Sequence, residues 1–375
     1  MRRKAPGQAV DLHAHFVMHR RLARRVCDSV LEVTGNRLLM RAANVIANNG
    51  AVAVRPTTAR DGSVSFGSVL YHPADEVWGP CEPETNIKTM LAMVEEMLPK
   101  GWLTRTGAEF AGRVTAGENA VFHCIEGGYA LGDPSNIREF ARLGVAYVTL
   151  AHLRYQGVSA NVNGLPFLNE HKNACLFPMP HAGLSDRGLA CAEEMIKNGI
   201  IIDVTHMDAM GIDQTLAMAE AAGAPVIASH TASRALTSAE YLINLDDATI
   251  KRIARTGGVV GVIFSDHWLR PPDSKENTLA LVVRTIRHIV DTAGVHVAAI
   301  GSDLDGFIQP VKELARLSSF PTLRRALMRE FADEQIVSAI MRDNALRALK
   351  AGWGEKRVTP SRPTAPIRPS DVEGV

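Results

Sequence analysis

Apolar residues along this chain fall into short, mostly β-branched runs that alternate with longer segments of helical spacing. The strand-like runs are Ala9 to Leu12, Ala51 to Arg55, Ala120 to Ile125, Val145 to Ala151, Ile200 to His206, Pro225 to His230, Val259 to Phe264 and Val297 to Ile300. Helix-like segments separate them at Arg20 to Ile46, Glu84 to Leu98, Asn136 to Leu143, Ser185 to Asn198, Met207 to Gly223, Asp246 to Arg255 and Glu276 to Thr292. Ser185 to Gly199 shows the pattern well. Ser185 suits an N-cap, Leu189, Ala192 and Ile196 share one helical face, and Gly199 stands where a terminating glycine belongs. The strand-like runs lack the in/out alternation of a half-exposed sheet, so they read as parallel strands buried on both faces. Eight such alternations predict an α/β protein, a (β/α)8 barrel of the TIM type with a parallel eight-stranded core. A doubly wound open sheet is the alternative topology.

Composition narrows the function classes. Of 375 residues, 46% are apolar and 22% charged, enough for one large barrel domain. Lys and Arg number 41 against 40 Asp and Glu, so bulk charge gives no reason to expect nucleic acid or an anionic membrane as partner. The basic cluster Arg20, Arg21, Arg24 and Arg25 reads as a solvated helix face. Five cysteines without a C-x-x-C pair fit a reducing compartment. Neither a signal-peptide core nor an apolar run long enough to span a bilayer is evident, and the expected location is the cytoplasm.

The chemistry gathers at the ends of the predicted strands. They run into His13-Ala14-His15, Glu126-Gly127-Gly128, His152, His206, His230 and Gly301-Ser302-Asp303-Leu304-Asp305-Gly306. In a parallel barrel these tips share the C-terminal face, where such barrels carry their active sites. A single histidine at a strand end is more often a hydrogen-bonding cap than a ligand. The His13-x-His15 pair sits on one side of an extended segment, and Glu126 would be an expensive buried charge without a cation beside it. Four histidines, one glutamate and one aspartate at five strand ends point jointly to metal. Gly257 to Gly261, by contrast, lies ahead of or within a strand and is no nucleotide-binding loop.

The motifs resemble the membrane (renal) dipeptidase family of zinc peptidases within the amidohydrolase superfamily. The resemblance rests on Cys124-Ile125-Glu126-Gly127-Gly128, Tyr147 to His152, Gly183-Leu184-Ser185, Ile202 to His206, Ser229-His230-Thr231 and Gly301 to Gly306, with Phe320 to Leu323 and Asn344 to Arg347 similar to that family's C-terminal helices. It spans His13 to Leu349 and implies one barrel domain over 1–354, followed by a disordered tail over 355–375. It also implies two Zn²⁺ ions bridged by Glu126, one completed by His13 and His15, the other by His206 and His230. Asp303 would shuttle the proton of a metal-bridging hydroxide that attacks an amide bond of a dipeptide or dipeptide-like molecule, and His152 would contact substrate and oxyanion.

Two departures stand out. That family carries His-x-Asp on the first strand, whereas this chain has His13-Ala14-His15, which makes the site one charge more positive. The family also places a carboxylate-clasping arginine after the sixth strand, where Leu242 falls here; Arg234 and Arg154 are the candidates to replace it. The other activities considered are hydrolysis of a non-peptide amide or a lactone, and deamination, which is disfavoured because position 209 is Ala where deaminases place an acid. A metal-binding scaffold without activity is a third possibility. The expected partner is a small dipeptide-like substrate, with a homodimer left open.

Overall fold

Eight parallel strands close into a barrel in sequence order: β1 (Ala9–Ala14), β2 (Val64–Leu70), β3 (Val121–Glu126), β4 (Val145–Thr149), β5 (Ile201–Asp203), β6 (Val226–Thr231), β7 (Val259–Val262) and β8 (Ala298–Ile300). The computed structural model describes residues 8–15, 64–72, 75–76, 82–165, 168–306 and 308–357. Pairing of Asp11 on β1 with Ile300 on β8 closes the ring, so the open-sheet alternative falls away. Every strand residue is buried, as expected of strands covered by helices outside and side chains inside.

Alternate positions divide between two apolar layers. Val121, Ile125, Val148, Ile202, Val226, Val260 and Ile300 pack in the layer shared with the helices, while Val10, Leu12, Phe122, Cys124, Ile201, Ile227 and Val259 form a second cluster. In that second cluster an aromatic column climbs from Trp353 and Phe110 through Phe122 to Tyr147, with Phe110 and Phe122 ring centroids 4.8 Å apart and Phe122 and Tyr147 6.4 Å apart. Tyr147 meets His13 at the top of the column, ring centroids 6.3 Å apart. Core packing therefore determines where the first metal-candidate histidine stands.

The helix grammar holds where it was clearest: Ser185 accepts from Gly188 N at 3.0 Å to start Asp186–Asn198, and Gly199 ends it at φ 70°. The C-terminal helices Phe320–Phe331 and Asn344–Gly352 are present, joined by the short helix Glu334–Ser338 and a π-turn. The second strand is a correction. Ala51 to Arg55 lies outside the described residues, and the barrel's second strand is instead Val64–Leu70. Ser65, Gly67 and Ser68 interrupt its apolar run, yet they are buried, and Ser65 Oγ accepts from Ala120 N at 3.1 Å. Helices Gly107–Ala116 and Glu170–Leu176 were not anticipated either. The expected helix Arg20 to Ile46 and nearly all of the tail also lie outside the described residues. Among the described residues, no helix is long and apolar enough to cross a membrane.

Close backbone approach decides the glycine that follows β8. A Cβ on Gly301 would stand 1.6 Å from the carbonyl oxygen of Ser229 and 3.3 Å from Cα of His230. Gly301→Ala should cost about 3 kcal/mol or more in urea unfolding, because backbone on both sides must move. Gly112→Ala, on an exposed helical position with nothing within 4 Å of the new methyl, should instead gain about 0.5–1 kcal/mol. Equal effects of the two would show that the barrel has slack between β6 and β8.

Candidate metal centre

The strand tips converge on one carboxylate. Glu126 ends β3 and is 2% exposed. Its Oε1 lies 3.5 Å from His13 Nε2, 3.5 Å from His206 Nε2 and 3.6 Å from His230 Nε2. Its Oε2 lies 3.6 Å from His15 Nε2 and 3.4 Å from His152 Nε2. Asp303 joins from the end of β8, with Oδ1 3.2 Å from His15 Nε2 and 3.9 Å from His13 Nε2. Backbone bonds lock that corner: Asp303 N donates to His13 O and His15 N to Leu304 O, each at 2.9 Å. His206 and His230 bring their Nε2 atoms to 3.1 Å of each other. The structure thus brings together His13, His15, Glu126, His152, His206, His230 and Asp303.

Two of these residues sit on costly backbone. Among the described residues only five other than glycine have a positive φ, and His206 at 67° and Asp303 at 56° are two of them. A positive φ at a residue other than glycine costs about 1 kcal/mol or more, and such conformations cluster at functional sites. Space is reserved as well. A Cβ on Gly306 would come within 2.3 Å of Asp303 Oδ1.

A second layer of hydrogen bonds orients the rings. Ser229 Oγ lies 2.5 Å from Asp203 Oδ2, 3.0 Å from His13 Nδ1 and 2.9 Å from His230 Nδ1. A hydroxyl has one proton, and the carboxylate takes it, so both imidazoles donate to the serine oxygen from Nδ1. Tyr147 repeats the logic: its hydroxyl donates to Leu12 O at 2.9 Å and accepts from His13 Nδ1 at 2.9 Å. His13 and His230 therefore turn unprotonated Nε2 atoms toward Glu126, the form a metal ligand must have. His13 Nε2 is buried and without a hydrogen-bond partner, an orphan that a cation would satisfy. Asp203 is fixed in turn by Ser229 N at 2.8 Å, Thr205 Oγ1 at 2.8 Å and Thr149 Oγ1 at 2.6 Å. Asp11 has the same arrangement below β1, accepting from Ser302 N at 2.8 Å and Ser302 Oγ at 2.5 Å.

The electrostatics agree with a cation-binding pocket. Burial pushes the Glu126 carboxyl up, but the imidazoles around it, His152 first, hold it well below the usual range. Burial keeps His13 and His230 neutral by lowering both well below the ordinary histidine value. His15 is raised despite burial, by its bond to Asp303. Burial lifts Asp11 to about 7 against the pull of Ser302. Imidazole nitrogens and one shared carboxylate form a donor set that suits zinc, and the three overlapping groups His13/His15/Asp303, His13/Glu126/His230 and Glu126/His152/His206 each bring their ligand atoms within 4.8 Å of one another.

The candidate substrate cations are placed differently. Arg154 donates from Nε to Glu76 O at 2.5 Å and from Nη2 to Asp75 O at 3.3 Å. Arg234 donates from Nε to Asn244 O at 3.1 Å and from Nη2 to Leu242 O at 3.4 Å, with Asp246 Oδ2 3.8 Å from Nη1. Both guanidinium groups hold loops. Leu242 itself is 38% exposed. Sequence reasoning missed Tyr71, whose ring lies 5.2 Å from that of His152, and Glu76, whose Oε2 lies 3.2 Å from His152 Nδ1. The missed second strand delivers both.

Residues 84–359 match the family model of the membrane dipeptidases (peptidase family M19). An uncharacterized dipeptidase of Schizosaccharomyces pombe is 32% identical over 215 residues, which are 57% of this chain and 48% of that protein. Dipeptidase tcpJ of Claviceps purpurea is 30% identical over 236 residues, 63% of this chain and 51% of that protein. The chain spans about half the length of these curated relatives. Among solved structures, the metallopeptidase dipeptidase AC superposes with a TM-score of 0.71 at 21% identity, over 93% of this chain and 100% of the other. A metallopeptidase of Rhodobacter sphaeroides, bound to a phosphinate mimic of the dipeptide L-Ala-D-Ala, gives 0.70 at 20% identity over 93% and 100%.

The Ser229 hub yields a direct test. Ser229→Ala removes the acceptor shared by His13 and His230, so metal affinity measured by competition with a chelator should fall about 10-fold or more. Unchanged affinity would mean that the rings are oriented by other contacts.

Proposed function

Because the chain belongs to the membrane dipeptidase family, we propose that it hydrolyses an amide bond of a dipeptide or dipeptide-like small molecule, with two zinc ions held by His13, His15, Glu126, His206 and His230. The observation that carries this reading is a single buried carboxylate, Glu126, within 3.6 Å of five imidazole nitrogens supplied by the ends of β1, β4, β5 and β6. Bound there, a zinc pair would polarise an amide carbonyl and lower the pKa of water toward neutrality.

The chain's own residues divide the remaining work. Glu126 offers Oε1 toward His13, His206 and His230 and Oε2 toward His15 and His152, so that both oxygens face imidazoles, which supports a bridging role with His13 standing between the two sides. Asp303 has a carboxylate oxygen at the rim of the same cluster and is the proposed proton carrier, accepting from the attacking water and delivering to the leaving amine. His152 presents Nε2 from the β4 side and is the proposed donor to the carbonyl oxygen. His15, in place of the carboxylate usual for the family, leaves the centre one charge more positive, which favours a more acidic water and a somewhat weaker hold on that ion.

Substrate choice follows from the second departure. A bidentate arginine clasp is strong and selective for carboxylates, and Leu242 offers none. Arg234 and Arg154 are both engaged with main-chain carbonyls. Substrates whose C-terminal carboxylate is amidated, esterified or absent are therefore included in the proposed range, since a carboxylate buried without a cation costs several kcal/mol.

Two measurements test this reading. Asp303→Asn should retain metal by elemental analysis and lose on the order of 10²-fold in kcat; near-normal turnover in a metal-replete sample would assign proton transfer elsewhere. For the substrate, kcat/KM on a dipeptide and on its C-terminal amide should be similar in the wild type and in Arg234→Ala. A strong preference for the free acid that vanishes in Arg234→Ala would make Arg234 the clasp.

A further inference from the structure

One buried carboxylate near the centre has no part in the chemistry above. Glu76 follows β2, is 4% exposed, and sets Oε2 3.2 Å from His152 Nδ1. The opposite nitrogen of the same ring, Nε2, lies 3.4 Å from Glu126 Oε2. His152 thus spans two buried carboxylates, one inside the metal centre and one outside it. We propose that Glu76 is a positioning residue for amide hydrolysis, holding His152 through Nδ1 so that Nε2 faces the substrate carbonyl oxygen. The proposal rests on the hydrolase reading for the role of His152, and on geometry alone for the pair.

Three features support it. First, the chain anchors Glu76 from the segment that carries His152: Arg154, two residues further on, donates to the carbonyls of both Glu76 and Asp75. Ring and carboxylate therefore move as one unit. Asp75 is tied down independently, its Oδ2 3.0 Å from both His72 Nδ1 and Asn86 Nδ2, which fastens the stretch to the helix Pro83–Met97. Second, rings flank His152 and restrict its rotation. Tyr71 lies 5.2 Å away at 57° and His206 lies 5.0 Å away at 78°, centroid to centroid. Third, the Tyr129 hydroxyl neighbours Glu76. Burial, and then Glu76 itself, hold the Tyr129 hydroxyl well above its ordinary pKa, so it remains a potential donor beside the acid.

The chemistry needs such a partner. With Nδ1 facing Glu76 at 3.2 Å, the ring is left with Nε2 aimed at the centre, 3.4 Å from Glu126 Oε2. A carboxylate behind a working imidazole fixes its orientation as well as its charge. Without Glu76 the flanking rings would limit rotation, but nothing would engage Nδ1 and set which nitrogen faces the centre.

The test combines a kinetic cycle with a spectroscopic readout on the zinc-loaded protein. Glu76→Gln should lower kcat about 10-fold or more, with KM and metal content little changed. In the His152→Ala background the same substitution should cost nothing further, because Glu76 acts through that ring. An equal loss in both backgrounds, or full activity in Glu76→Gln, would overturn the proposal. On ¹⁵N-histidine-labelled wild type, a downfield Nδ1–H resonance that disappears in His152→Ala should be present, and should shift in Glu76→Gln. Its absence from the wild type would overturn the pair whatever the variants do. A protein that shows this resonance yet cleaves no dipeptide, dipeptide amide or ester would refute the hydrolase reading instead and leave the pairing intact.

Discussion

A carboxylate buried at the mouth of an apolar barrel is a liability unless positive charge or hydrogen-bond donors reach both of its oxygens. Glu126 is in that position, and the rest of the C-terminal face is arranged around it. Strands β1, β5 and β6 bring imidazoles to one oxygen, while the end of β1 and the turn after β4 bring them to the other. The rings do not all serve as counter-charges to Glu126, since two of them, His13 and His230, are held neutral by their own burial. Divalent cations seated between the carboxylate and the nitrogens would restore the balance, which is the physical reason the cluster reads as a metal centre.

Holding that arrangement requires rigidity from below. Tyr147 rises on the aromatic column to meet His13, and Ser229 gathers His13, His230 and Asp203 into one network. Asp203 and Asp11 do equivalent jobs under different strands, each accepting the backbone N–H and the hydroxyl of a serine on a neighbouring strand or strand end. They fix the strand ends in register, and the left-handed backbone at His206 and Asp303 is kept in place by that fixing.

Much of this was legible in the residues, for definite reasons. Strands buried on both faces write themselves as β-branched runs, so seven of the eight are legible, close to their observed spans except for the fifth, where Ile200 to His206 shortens to Ile201–Asp203. The histidines and acids at their tips were visible because a parallel barrel sends all strand ends to one face. β2 was not legible, since Ser65, Gly67 and Ser68 break its apolar run while remaining buried. With it went Tyr71 and Glu76, whose contacts with His152 join segments far apart in sequence and leave no periodic trace. Arg154 and Arg234 illustrate the opposite failure: sequence shows a charge but not the carbonyls it is tied to. The positive φ of His206 likewise arises only when the chain turns out of β5.

The central claim is that Glu126 is shared between two metal ions, and anomalous diffraction at the zinc edge from crystals of the zinc-loaded protein addresses it most directly. The account predicts two anomalous peaks flanking the Glu126 carboxylate, about 3.5 Å apart, one beside His13 and His15 and the other beside His206 and His230. A single peak, or two peaks that leave Glu126 uncoordinated, would contradict it.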